Sequence, residues 1–133
     1  MSKSAIYVAN TNSQSVAVGG TLEFGSVVRR FGCATNLYGN IINIDEAGYY
    51  DVNVSVTASP TAIGTVTVSL FNNGVAVQGA TASSTVAVAD TPANVSFESI
   101  VRVFCGANVG GLSLVLTGTE SNVTNVAVVV TKL

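Results

Sequence analysis

The chain has no histidine and no tryptophan, only two cysteines and two prolines, and just 9% charged residues. Each shortage removes a class of function. Without an imidazole there is no general base for a serine or cysteine triad, and no zinc site of the usual histidine type. Five basic residues against seven acidic ones leave a net charge of −2, and Arg29-Arg30 is the one basic doublet. That is no electrostatic footprint for nucleic acid. No stretch approaches the ~18 consecutive apolar residues of a membrane span, so membrane insertion is not expected. The opening MSKSAIYVANTNSQS turns polar at Asn10 and lacks the apolar centre of a signal peptide, which points to production in a bacterial cytoplasm. Cys33 and Cys105 belong to no CxxC or Cys/His pattern; they read as two buried reduced thiols, with a disulfide as the alternative.

What the chain does have is 48% hydrophobic residues, dealt out as Val, Ala and Ile in short runs between Gly, Asn, Ser and Thr. At 133 residues it is one domain, 1–133. A chain of that length buries roughly two thirds of its unfolded surface and folds without metal or disulfide. So weak a net charge on so apolar a chain gives one copy little repulsion from the next, and self-association is the economical expectation.

Helical periodicity is almost absent and strand signals recur throughout. SAIYVAN reads as a first strand, short pieces follow around TLEF and VVRRF, and NIINI leads through Asp45, Glu46 and Gly48 into AGYYDVNVSV. From there Tyr50, Val52, Val54, Val56 and Ala58 point one way while Tyr49, Asp51, Asn53, Ser55 and Thr57 point the other. TVTVSLF then meets Asn72-Asn73-Gly74, whose Asn-Gly pair suits a type I′ hairpin with VAVQ returning. Residues 80 to 94, ATASSTVAVADTPAN, read as a long connection with a little extended structure. NVSFESIVRVF, LSLVLTG and VTNVAVVVTKL complete the set. In the last, Val126, Val128 and Val130 face one way and Ala127 and Val129 the other, so both faces require cover. Eight to ten short antiparallel strands at this spacing predict a β-sandwich or barrel.

Three quoted stretches, in this order and spacing, carry a resemblance. TNLYGNIINIDEAGYYDVNVSV, VTVSLFNNGVAV and VSFESIVRVFCGANVGGLSLVLTG resemble the globular head of complement C1q and its relatives in the tumour necrosis factor superfamily. The resemblance implies an all-β fold, a ten-stranded antiparallel jelly roll, assembled as a homotrimer with one sheet packed around the threefold axis. The chain departs from the family where Ala107 follows Gly106 and an Asp is frequent, so the calcium binding of some relatives is not carried over. Short chains of this Ala-, Val-, Asn- and Thr-rich style also resemble heads found on bacteriophage particles and bacterial spore surfaces.

Cupins, the other large family of jelly rolls, hold a metal with two or three histidines and a carboxylate, which this chain cannot supply. Asp45 with Glu46 and Asp51 with Glu98 are the carboxylate pairs to weigh for glycosidase chemistry; the first reads as a polar turn, and neither is assigned a catalytic role. Asn-x-Ser/Thr triplets at Asn53, Asn94 and Asn122 read as ordinary polar alternation. The expectation is therefore a non-enzymatic structural or adhesive protein with no cofactor, on a virion or other particle surface. Its partner is itself, with capsid or tail proteins beyond that. Candidates for the trimer contact are Tyr49, Phe97, Glu98, Arg102, Phe104 and Val129, with Glu98 and Arg102 as a partly covered ion pair. The alternative is a receptor- or carbohydrate-binding module of the same fold, for which exposed loops 58 to 64 and 80 to 94 would do the binding.

Overall fold

The computed structural model describes residues 3–103 and 110–133. Eleven strands follow in order: β1 (Ala5–Asn10), β2 (Gln14–Val16), β3 (Ser26–Phe31), β4 (Thr35–Tyr38), β5 (Ile41–Ile44), β6 (Gly48–Pro60), β7 (Gly64–Asn72), β8 (Val75–Val86), β9 (Ala93–Val103), β10 (Gly110–Gly118) and β11 (Ser121–Lys132). They form two sheets, β3-β1-β11-β6-β9 and β4-β5-β10-β7-β8, every pairing antiparallel. Two rows of five make the ten-stranded jelly roll; the three-residue β2 is an addition, paired to the start of β11. Among the described residues no helix is long and apolar enough to cross a membrane.

Strict alternation places the core. Tyr50, Val52, Val54, Val56 and Ala58 of β6 are buried, as are Val126, Val128 and Val130 of β11 beside them. Val66, Val68 and Leu70 of β7 and Leu112, Leu114 and Leu116 of β10 close on them from the second sheet. A fully buried Val or Leu contributes roughly 1.5–3 kcal/mol, so this interior supplies most of the drive to fold. First and last strands pair along their length, from Ala5 with Thr131 to Asn10 with Val126.

The hairpin turn takes the expected form, with Asn73 at φ 53° and Gly74 at φ 80°. Two readings are corrected. Residues 80–86 are part of β8, because small residues satisfy the same alternation: Ala80 and Val86 are buried while Thr81, Ser83 and Thr85 meet Ser69, Thr67 and Thr65 in hydroxyl pairs of 3.0, 2.8 and 2.9 Å. Ala58 to Pro60 likewise belong to β6, leaving shorter loops than expected at 61–63 and 87–92. Cys33 is exposed in the turn between β3 and β4, which overturns its expected burial; Cys105 lies outside the described residues. TLEF makes a single bridge, Thr21 with Val115, but it buries Leu22 and Phe24 completely.

Candidate self-association face

Each strand of the first sheet sends its odd-numbered or even-numbered set outward, and the register lines these sets into rows. One row crosses the whole sheet as Arg29, Tyr7, Val129, Asn53 and Glu98. The next runs Phe31, Ala5, Thr131, Asp51 and Ile100. Tyr49 pairs with Arg102, whose guanidinium carbon lies 5.6 Å from the centre of the tyrosine ring, within cation–π reach. Between Tyr7 and Glu98 the side chains shrink to Ala127, Val129, Ser55 and Ser96, which opens a groove of about 540 Å³.

This face is more apolar than a solvated sheet surface needs to be. Tyr7, Tyr49 and Ile100 are exposed, and Ala127 and Val129 are half-buried with no layer above them among the described residues. The sheet is also where the charge of the strands resides. Arg29, Arg30, Asp51, Glu98, Arg102 and Lys132 all belong to this sheet, and the strands of the other sheet carry no charged residue.

Asp51 and Glu98 sit diagonally on neighbouring strands, close enough for one carboxyl to hydrogen-bond the other. That bond, then the charge of Asp51 and some desolvation, holds the Glu98 carboxyl above its ordinary range, against an opposing hydrogen bond from Asn53. Oδ1 of Asp51 is buried without a hydrogen-bond partner. Among the described residues there is no group of three or more His, Cys, Asp or Glu placed to hold a metal ion.

The structure brings Tyr49, Glu98, Arg102 and Val129 onto one face, as the alternation requires. Phe97 comes one residue before Glu98, on the inward parity of β9; it is half-buried against the core and also lines the groove beside Glu98. Phe104 lies outside the described residues. Tyr7 and Ile100 were not singled out from sequence. The signal was present, since Ile6 and Val8 turn inward on either side of Tyr7.

No protein-family profile matches the chain, and no curated protein sequence does. Solved structures do. Murine APRIL, a tumour necrosis factor family protein, superposes with a TM-score of 0.74 at 12% identity, covering 99% of this chain and 100% of that one. The globular domain of zebrafish complement 1qA gives 0.71 at 9% identity, with 97% and 95% covered. The vertex protein P5 of phage PRD1 gives 0.60 at 12% identity, with 98% and 96% covered.

Proposed function

The fold is the jelly roll of the C1q and tumour necrosis factor proteins, and from it we propose that the chain is a non-enzymatic structural or adhesive module acting as a homotrimer on a particle surface. A bacteriophage virion component, whether capsid decoration, head fibre or tail part, is the role that fits. The observation that carries the reading is the outer face of the first sheet. Val129 and Ala127 on the central strand β11 are half-buried beside an open groove, and a second copy supplies the missing cover. Exposed Tyr7, Tyr49 and Ile100 on this face suit an interface core. The likeness to a phage vertex protein supports the virion setting.

Sedimentation equilibrium tests the assembly: the expected mass is three times the 13.4 kDa of the chain, and a monomer at all concentrations refutes it. Neighbouring genes for a portal or major capsid protein would support the virion role. A ligand-binding module is the second reading, favoured by Phe31 and Tyr38, both 59% exposed at strand ends where an aromatic stacks on a sugar. A glycan array with the Tyr38→Ala variant as comparison tests that reading.

A further inference from the structure

We propose that protonation of the Asp51 and Glu98 carboxyl pair governs self-association through the outer face of the first sheet, with assembly tightening as the pH falls. This rests on the trimer reading above and specifies how that contact is regulated.

The placement carries the argument. Asp51 and Glu98 are the carboxylates found in the described strands, and both point to the same face from adjacent strands. Glu98 lines the central groove, and it also borders a second hollow of about 580 Å³ with Asp51, Gln78, Ser99 and Ile100. Glu98 therefore stands on the ridge between two depressions, with Asp51 on the flank of the second, where an incoming copy displaces water. Oδ1 of Asp51 is already buried and without a partner in the single subunit.

Two carboxylates side by side cannot both ionise cheaply, and the neighbouring Asp51 makes the Glu98 carboxyl keep its proton more readily. Displacing water lowers the local dielectric and raises the repulsion between the two anions. The assembled state then holds that proton more tightly than the free subunit does. By linkage, assembly takes up protons, and the association constant rises as the pH falls, by up to about tenfold per proton and pH unit. The elevated affinity of Glu98 for its proton in the single subunit is the starting point of this effect. The penalty is fully present above the raised titration range and is gone below the ordinary carboxylate range.

Other ionisable groups surround the pair. Arg102 lies on β9 against Tyr49 of β6; Tyr7 of β1 and Arg29 of β3 close the far side of the groove. Lys132 of β11 is engaged 2.8 Å from Glu46. β8, which packs against β9 from the second sheet, contributes no charged residue.

The test is sedimentation equilibrium of the full chain at about pH 5.5 and about pH 8, using wild type, Asp51→Asn, Glu98→Gln and, as a control, Glu120→Gln in the exposed loop before β11. Circular dichroism establishes that each variant is folded. Exchange of dye-labelled subunits reads the same equilibrium if the trimer does not dissociate at measurable concentrations. The expected result is that the wild-type midpoint concentration for assembly falls by about tenfold or more on acidification. The D51N and E98Q variants should assemble at the higher pH as wild type does at the lower, while E120Q follows wild type. A wild-type trimer with the same midpoint at both pH values overturns the proposal, and so does a pH response that survives in both D51N and E98Q. A monomer at every pH and concentration overturns the trimer reading itself.

Discussion

The phenol of Tyr50 donates a hydrogen bond to the backbone carbonyl oxygen of Glu46 at 2.8 Å, while its ring is completely buried in the core. A single side chain thus anchors the turn that leads into β6. Tyr50→Phe keeps the ring and removes the bond, so it should lower stability by about 1 kcal/mol in urea unfolding.

Burial first, then the charges of Glu46 and Asp45, hold the Tyr50 phenol above its ordinary titration range. The folded state therefore keeps this proton at a pH where the unfolded chain releases it. Stability should fall as the pH rises past the ordinary tyrosine range, near about 10, and Y50F should flatten that decline. Thermal unfolding across alkaline pH reads both.

Lys132 and Glu46 form an ion pair of 2.8 Å that ties the end of β11 to the turn before β6, with side chains 10% and 38% exposed. Because Glu46 is open to solvent, the pair is worth at most about 1 kcal/mol. Lys132→Met should cost that much in low salt and less at about 1 M salt, where the screening length shrinks to about 3 Å.

Tyr49 stands on the opposite side of β6 from Tyr50 and is half exposed. Tyr49→Glu should dissociate the assembly in sedimentation while changing the unfolding free energy of the subunit by no more than about 0.5 kcal/mol. Unfolding of the subunit instead would place Tyr49 in the core and overturn the assignment of the two faces.

Gly118 ends β10 with φ +90°, and a methyl group there runs into the carbonyl oxygen of Thr65. Gly79 has a similar φ of +80° in the irregular part of the β7–β8 ladder, but its surroundings are open. Gly79→Ala should cost about 1 kcal/mol for the left-handed backbone alone. Gly118→Ala should cost roughly 2–4 kcal/mol, since neighbouring backbone must also shift. Chemical denaturation of the two variants separates conformation from collision.

Alternation of large apolar residues was the legible part of the sequence. It located β6, β7 and β11, split Tyr49 from Tyr50, and placed Val129, Glu98 and Arg102 on one face. It failed for ATASSTV, whose alternation is written in Ala against Ser and Thr, with hydroxyl pairs doing what apolar contacts do elsewhere. Alternation alone does not account for Phe97, which shares the inner parity of Val95 and Val101 yet borders the groove of the outer face. The Asp51 and Glu98 contact was legible only as one pairing to weigh, because strand register, which brings position 51 diagonal to position 98, is a long-range property.

The paired hydroxyls of β7 and β8 give the opposite broad surface a distinct character. Thr65, Thr67 and Ser69 share hydrogen bonds with Thr85, Ser83 and Thr81, and no strand of that sheet holds a charged residue. Such a surface is wettable yet indifferent to electrolyte and acid. A coat built with that side outward would stay inert in changing media while the seams between its subunits respond.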